Sequence, residues 1–313
     1  MIVSPKKMFQ NCYGKYAIAA VNVFTMEQVH ALFRAGSKAA APFIVQLTPA
    51  ARNYAHPKML IAMIRACSKI YPDTVFSIHL DHGNKEHALE VIASGNYSSL
   101  MIDYSHCSFA TNVQKTREIV ALAHKKEIFV EAELGVLSGV EDDRNIAEHR
   151  AAYTQPEEVN TFVNQTHCDA LAIAIGTSHG AYKFSQGKGL QWDILKQIQK
   201  YLPNYPIVLH GGSGVDSQEV ELINRYGGKL KTGYSGVAPE DIKKAIALGV
   251  CKINIATDTR ILWTRVHRAF FSQQPELFDP IIPGNEYMDA YEAMMINKFN
   301  LFGSTHKNQE FFS

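Results

Sequence analysis

Polar and ionisable residues recur where short apolar segments of this chain end. These residues are Asn22, Asp81, His82, Asp103, Glu133, His179, His210, Ser213 and Asn254. A lone histidine at such a position would usually be a satisfied structural residue, whereas three at three segment ends, each beside glycine or aspartate, favour a shared role. Three neutral nitrogen ligands with an open fourth position are the pattern of a catalytic zinc. We therefore expect His82, His179 and His210 to bind one zinc ion.

Three carboxylates accompany these histidines. Asp81 is adjacent to His82, so it could support a histidine ligand or act as a general base. The alternative is a helix cap, since aspartate is a favoured capping residue and a helix is predicted to begin near Asn84. Asp103 and Glu133 could orient ligands, hold a second cation or pair with a buried lysine.

A second group of residues suits a phosphate. The segment HGGSG at 210–214 brings backbone amides close to a bound group, and Ser213 adds a hydroxyl. Asn254 and Thr257 end the last apolar segment and precede a helix, where amides point at anions. Lys183 could add positive charge, although exposed lysines usually have no specific role, and the glycines could equally mark a turn. Enzymes built on α/β barrels often bind a phosphate in the loops after strands seven and eight, so we expect a phosphate site at these residues.

The apolar segments themselves predict the fold. Eight of them read as strands, at 17–24, 42–47, 75–82, 98–103, 128–134, 169–176, 206–212 and 251–256. Near-continuous apolar strands are typical of a parallel sheet covered on both faces, and helical periodicity lies between them at 26–40 and 112–126. This alternation predicts one domain, residues 1–313, folded as a single α/β (β/α)8 TIM barrel with a C-terminal helical extension at roughly 286–302. The acidic segment 138–155 is predicted to be a mobile loop.

Composition argues against several classes of partner. Lys and Arg total 31 against 30 Asp and Glu, so the overall charge gives no case for nucleic acid or an anionic membrane surface. The apolar runs are too short to span a bilayer, and the first residues lack the pattern of a signal peptide. Five cysteines are scattered without CxxC spacing, which fits reduced thiols. We therefore expect a cytoplasmic protein.

Six sequence blocks stand out: SIHLDHG, SSLMIDYSH, VEAELGVLSGVEDD, AIGTSHGAYKF, PIVLHGGSG and CKINIATDTR. In this order they resemble the signature blocks of the class II fructose-bisphosphate aldolases, a family that includes tagatose-bisphosphate aldolases. The likeness runs from about Tyr16 to Gly303, and six ordered blocks are far more specific than any one of them. It implies a zinc-dependent lyase of glycolysis and gluconeogenesis that splits a ketose bisphosphate.

The resemblance assigns roles to the residues around the metal. It makes His82, His179 and His210 the zinc ligands, Asp81 the acid/base residue, and Glu141 the carboxylate that handles the second proton. The residues implied to support the metal, or to form a second metal position, are Asp103, Glu133 and His79.

The resemblance also implies how the substrate is bound. The matching residues are Asn22, Thr48, Gly180, Lys183, Gly211, Ser213, Asn254, Thr257 and Arg260. Carbonyls around Gly180 and Gly211 match a monovalent-cation site in some members. Arg260 matches an arginine that reaches the distal phosphate of a neighbouring subunit in some dimeric members, so a homodimer or homotetramer is implied.

The implied reaction agrees with these residues. Asp81 would take the proton of the C4 hydroxyl, zinc would stabilise the charge left on C3 as a Lewis acid, and Glu141 would protonate C3. A class I aldolase would need a strand lysine for a Schiff base, and Lys252 lies toward the wrong end of its segment. A non-catalytic sugar-phosphate-binding barrel would keep the glycines but not the carboxylates and histidines together. A zinc hydrolase of the barrel amidohydrolase kind would need an HxH pair on an early strand, which is absent.

One position departs from the family pattern. Fructose-specific members usually carry aspartate two residues after the asparagine of the last block, where this chain has Ala256. Alanine there, and Thr48-Pro49 after the second segment, look more like tagatose-bisphosphate aldolases. The blocks around Glu141 and the long insert after HGGSG look more like fructose enzymes. We favour fructose 1,6-bisphosphate as the substrate, with tagatose 1,6-bisphosphate or another ketose phosphate as the alternative.

Overall fold

The computed structural model describes residues 1–137, 139–141, 144–146, 152–178, 180 and 189–312, with the backbone alone at 140, 141 and 144–146. Within these residues, eight parallel strands close into a barrel. They are β1 (Ile18–Asn22), β2 (Phe43–Leu47), β3 (Phe76–Gly83), β4 (Ser99–Ile102), β5 (Phe129–Leu134), β8 (Ala170–Ile173), β9 (Ile207–Leu209) and β10 (Val250–Ile255), and the hairpin strands β6 (Gly139–Glu141) and β7 (Arg144–Ile146) lie between β5 and β8. Each barrel strand pairs with the next barrel strand in the chain, and β10 pairs with β1. The predicted TIM barrel is confirmed.

The interior of the barrel changes character along its axis. Ile18 and Ala20 of β1 belong to an apolar cluster inside the barrel, while Ala19 and Val21 belong to the larger core between strands and helices. Asn22 follows in the interior alternation and is polar and buried. On β2, β5 and β9, Ile44, Phe129 and Val208 of the same cluster are likewise followed two residues later by the buried polar Gln46, Glu131 and His210. On these strands the apolar cluster fills the N-terminal half of the barrel and polar residues occupy the C-terminal half.

Helices surround the barrel, and the first of them covers its N-terminal end, since Met8, Phe9 and Cys12 belong to the interior cluster. They are α1 (Pro5–Cys12), α2 (Met26–Ala39), α3 (Pro49–Ala55), α4 (Pro57–Ile70), α5 (Lys85–Ser94), α6 (Phe109–His124), α7 (Pro156–Thr166), α8 (Trp192–Tyr201), α9 (Ser217–Arg225), α10 (Pro239–Ala247), α11 (Thr257–Gln273) and α12 (Ile281–Phe302), followed by a 3₁₀ turn (Asn308–Phe311). The helices predicted over 26–40 and 112–126 correspond to α2 and α6. In the described part of the chain, no helix has both the length and the apolar composition of a membrane span.

The C-terminal extension, α12, packs against α2 and begins earlier than predicted. Pro283 lies in its first turn, where a missing backbone N–H costs nothing because those donors have no intrahelical partner. Arg34 of α2 pairs with Glu292 of α12 at 2.8 Å. The helix ends at Phe302 with Gly303 in a left-handed conformation at φ +72°, as its sequence predicts.

The acidic segment after β5 contains more regular structure than predicted. We expected a mobile loop over 138–155, but β6 and β7 form a short antiparallel hairpin there. Val136 and Ala152 close its base through paired backbone hydrogen bonds of 2.8 and 3.0 Å. A two-stranded hairpin of this size gives almost no periodic sequence signal, which explains why it was missed.

Candidate active site

The end of β3 places two consecutive side chains in the barrel mouth. Successive residues of a regular strand face opposite sides, so Asp81 and His82 could not both point inward from an ideal strand. The register between β3 and β4 shifts between Leu80 and Gly83, and His82 has φ +50°. Such a bulge turns the backbone locally, and both side chains are buried. A left-handed backbone at a non-glycine residue is strained, and strain of this kind clusters at functional sites.

His82 and His210 face each other across the site. Nε2 of His82 lies 3.1 Å from Nδ1 of His210. The opposite nitrogen of His210, Nε2, lies 2.8 Å from Oε1 of Glu131, and Nδ1 of His82 lies 3.5 Å from Oδ2 of Asp103. A carboxylate accepts hydrogen bonds, so Glu131 favours the tautomer of His210 with its proton on Nε2, and Asp103 favours a proton on Nδ1 of His82. In these tautomers the two facing nitrogens carry lone pairs that a cation between them would accept.

The spacing of these nitrogens fits a metal of zinc's size. Two nitrogens bound tetrahedrally at zinc distances lie about 3.3 Å apart. Burial lowers the pKa of His210, although the hydrogen bond to Glu131 opposes that shift, so the ring is neutral and able to ligate at neutral pH. The amide nitrogen of Asn254 lies 3.1 and 3.2 Å from the two ring nitrogens of His210. These nearly equal distances place it over the ring and leave the in-plane lone pair clear.

Asp81 is held by three side-chain amides. Its Oδ2 accepts hydrogen bonds from Asn22 at 2.9 Å and from Gln46 at 3.3 Å, and its Oδ1 accepts a longer one from Asn254 at 3.4 Å. Gln46 also donates a hydrogen bond to the side-chain oxygen of Asn22 at 2.6 Å, so it fixes the amide that in turn holds Asp81. Asn84, and not Asp81, caps α5, which removes the capping alternative for Asp81.

Two groups of ligand atoms lie close enough to hold metal ions. Asp81, His82 and His210 form one, and His82, Asp103 and Glu133 form the other, with ligand atoms within 4.8 Å of one another in each. His82 belongs to both, so the two groups describe alternative positions for an ion bound by His82.

The glycine-rich turn after β9 is shaped by close backbone contacts. Gly211 has φ +66°, and a Cβ there would lie 2.5 Å from the carbonyl oxygen of Ser178. A Cβ on Gly236, in the long insert, would lie 2.0 Å from the carbonyl oxygen of Ser213. Behind the turn, the carboxylate of Asp258 accepts hydrogen bonds from the amides of Gly214 and Val215 at 3.0 and 2.9 Å. The turn is therefore fixed from both sides.

The start of α11 adjoins this turn. The backbone N–H of Ala256 donates to the hydroxyl of Ser213 at 3.3 Å, which leaves the hydroxyl proton of Ser213 available to a ligand. No side chain caps the described N-terminus of α11, where Thr257 is the first residue. Uncapped amides at a helix N-terminus suit an anion. Arg260 lies 5.6 Å from the ring of Phe24 and lines a cleft of about 700 Å³.

Comparison with known proteins agrees with this geometry. The sequence model of the family "Fructose-bisphosphate aldolase class-II" matches residues 3–307. The chain belongs to the class II fructose-bisphosphate aldolase family.

Relatives from distant organisms support the same assignment. A fructose-bisphosphate aldolase of Giardia intestinalis is 40% identical over 295 residues, which cover 93% of this chain and 89% of that protein. One from Thermus caldophilus is 38% identical over 296 residues, covering 92% and 93%. The crystal structure of the YdjI aldolase from Escherichia coli K12 superposes with a TM-score of 0.78 at 26% identity, covering 98% of this chain and all of that one. Aldolases are lyases, and the class II family is metal-dependent.

The aldolase barrel brings several of the predicted site residues together. Asn22, Asp81, His82, His210 and Asn254 form one connected group. Thr48 is buried as the N-cap of α3, where its hydroxyl accepts a hydrogen bond from the backbone N–H of Ala51. Gly180 has a φ of +84°. His79 joins neither ligand group, because its Nδ1 contacts the hydroxyl of Ser99 and its Nε2 lies 3.8 Å from Glu131. His179, Lys183 and the side chain of Glu141 lie outside the described residues.

Three buried residues of the site were not predicted from the sequence. Glu131 and Lys252 each stand two residues before a predicted residue of the same strand, Glu133 and Asn254 respectively, and Gln46 lies two residues before Thr48, which follows β2. Alternate strand residues share a face, so Glu131 and Lys252 point into the barrel one layer deeper. Gln46 instead bonds to Asn22 and Asp81, in the layer of the predicted residues. The available signal was a polar or charged residue at the inward position of an otherwise apolar strand.

Proposed function

We propose that this protein is a zinc-dependent aldolase that reversibly cleaves fructose 1,6-bisphosphate to dihydroxyacetone phosphate and glyceraldehyde 3-phosphate. The observation that carries the proposal is the pair of lone-pair nitrogens on His82 and His210, 3.1 Å apart, with the carboxylate of Asp81 in the same group. Together with His179, these histidines would hold one zinc ion. The name of the Giardia relative supports the choice of sugar.

Different residues of the chain carry out different steps of the cleavage reaction. Asp81, oriented by Asn22 and Gln46, accepts the proton of the C4 hydroxyl as the C3–C4 bond breaks and the aldehyde leaves. A zinc ion supplies the Lewis acidity that stabilises the negative charge developing on the ketone side. Glu141 then returns a proton to C3. The turn at Gly211 and Ser213, the start of α11 and Lys183 bind the phosphate on the ketone side, and carbonyls near Gly180 and Gly211 would bind a monovalent cation. Asp103 and Glu133 would hold a second metal ion.

Ala256 supports a second candidate substrate. Tagatose 1,6-bisphosphate differs from the fructose compound only at C4, and the alanine resembles the tagatose branch of the family. Cleavage should be assayed on both sugars with chelator-treated protein and after adding back zinc. We expect no activity without metal, recovery with zinc, and faster cleavage of the fructose compound. Full activity in metal-free protein, or an imine adduct trapped by borohydride, would exclude the zinc mechanism.

We also propose that residues 1–313 form one domain, since the family match spans 3–307, and that the protein is a cytoplasmic homodimer or homotetramer. Exposed apolar side chains at Trp263, Phe278 and Ile281 suit burial against a second copy, and Trp263 lines the same cleft as Arg260. Sedimentation velocity would show a single monomeric species if this assembly were wrong.

A further inference from the structure

A buried ion pair lies beneath the histidine pair, inside the barrel. Oε2 of Glu131 on β5 lies 2.7 Å from Nζ of Lys252 on β10, and both side chains are 1% exposed. The two strands are not neighbours, because β8 and β9 separate them in the barrel. The pair therefore crosses the interior, and it does so below the residues that would touch a substrate.

Stability alone is a poor reason to keep such a pair. Removing two charges from water costs more than their attraction returns unless the geometry is excellent, and apolar replacements are often neutral or better. Burial by itself would raise the pKa of Glu131, but Lys252 and the hydrogen bond from His210 lower it well below its usual range. The carboxylate is thus a permanent acceptor.

The second carboxylate oxygen of Glu131 contacts His210. Its Oε1 lies 2.8 Å from Nε2 of His210, while Lys252 holds the other oxygen. One carboxylate with its two oxygens fixed in two directions has no rotational freedom left. We infer that Glu131 and Lys252 are a positioning pair, in which Lys252 fixes the carboxylate and the carboxylate aims Nδ1 of His210 at the metal. This inference rests on the metal-binding role proposed for His210.

A matched pair of double variants separates positioning from folding. Glu131→Met with Lys252→Met removes both charges and the acceptor, whereas Glu131→Gln with Lys252→Met removes both charges but keeps a carbonyl oxygen toward His210. Neither leaves an unpaired buried charge. Ser77→Ala serves as a control, because Ser77 is a buried residue of β3 whose hydroxyl has no hydrogen-bond partner.

The measurement is the affinity for Zn²⁺ alone, by competition with a chromophoric chelator, together with the visible spectrum of the Co²⁺-loaded protein. Loss of an outer partner of a metal-bound histidine typically costs 10- to 100-fold in affinity. We expect that loss in the Met/Met protein with an altered cobalt spectrum, less than a tenfold loss in the Gln/Met protein, and none in Ser77→Ala. At saturating zinc, kcat should fall in the Met/Met protein while KM stays near that of the unmodified protein.

Equal zinc affinity in both double variants and the unmodified protein would overturn the inference. An unmodified protein that binds no zinc would instead overturn the proposed function, so the two failures are distinct. A second measurement needs no variant to fold: ¹⁵N spectra of the histidine rings in metal-free protein. We expect the proton of His210 on Nε2, and a proton on Nδ1 would contradict the positioning role.

Discussion

Asn22 donates a 2.9 Å hydrogen bond from its side-chain amide to Oδ2 of Asp81. The two residues lie at the ends of β1 and β3, with β2 between them, and Gln46 of β2 bonds to both. These hydrogen bonds from neutral amides fix the orientation of the carboxylate. This orientation supports the role proposed for Asp81, which is that of a base beside His82 and His210 and not that of a metal ligand.

Asp81→Ala should separate catalysis from metal binding. We expect kcat to fall by about 10²- to 10⁴-fold, the usual contribution of a positioned base, with zinc content unchanged after dialysis. Asn22→Ala should lower kcat less, because the base remains and only one of its hydrogen bonds is lost. Loss of zinc from Asp81→Ala would show instead that Asp81 is a metal ligand, as its place in the first ligand group would allow.

Glu141→Ala should act on the second proton transfer. Its backbone lies in β6, on the hairpin that follows β5, and the family resemblance gives it the proton of C3. We expect exchange of that proton between solvent and dihydroxyacetone phosphate to slow by about 10²-fold or more, because a positioned acid/base group is worth at least that much. Exchange at the unmodified rate, followed by proton NMR in deuterated water, would assign this proton to another residue.

The sequence predicted the strands and the rim of the site for the same physical reason. Buried parallel strands must be continuous apolar runs, and the first polar residue after each run marks the barrel mouth, as at Asn22 and His210. The deeper layer escaped prediction because partners such as Glu131 and Lys252 meet across two intervening strands. Their contact depends on how the barrel closes, and the strand sequences alone do not determine that closure. The bulge at His82 likewise depends on its register with β4.

Acid should destabilise the metal-free protein through its buried histidines. The pKa of His79 is lowered well below its usual value, first by burial and then by Lys252, and burial also lowers the pKa of His210. A pKa lower in the folded than in the unfolded state gives stability that is fully present above the unfolded pKa, about 6.5, and is lost as pH falls below it. The slope can reach about 1.4 kcal/mol per pH unit for each histidine.

This dependence can be measured by thermal unfolding of chelator-treated protein between pH 7.5 and 5. The melting temperature should fall steadily below pH 6.5. His79→Leu should have a shallower fall over the same range, since one of the two histidines no longer titrates. A melting temperature that rose on acidification would mean that the histidines gain protons on folding.

Ala256 is the residue that bears most directly on the choice of sugar. It immediately precedes α11. In the sequence it lies between Asn254, which contacts Asp81, and Arg260, which lines the adjoining cleft. A carboxylate here would add a hydrogen-bond acceptor and a negative charge at the rim of the phosphate site. The alanine provides neither, so discrimination at C4 should be weak. One polar contact is worth about 1 kcal/mol, or roughly a five- to tenfold change in rate ratio.

We expect measurable cleavage of both epimeric bisphosphates, faster for fructose, and a sharper preference in Ala256→Asp. The ratio of kcat/KM for the two sugars, measured in both proteins, decides this. A ratio that favours tagatose bisphosphate in the unmodified protein would reverse the substrate assignment, and an unchanged ratio in the variant would mean that position 256 does not contact the sugar.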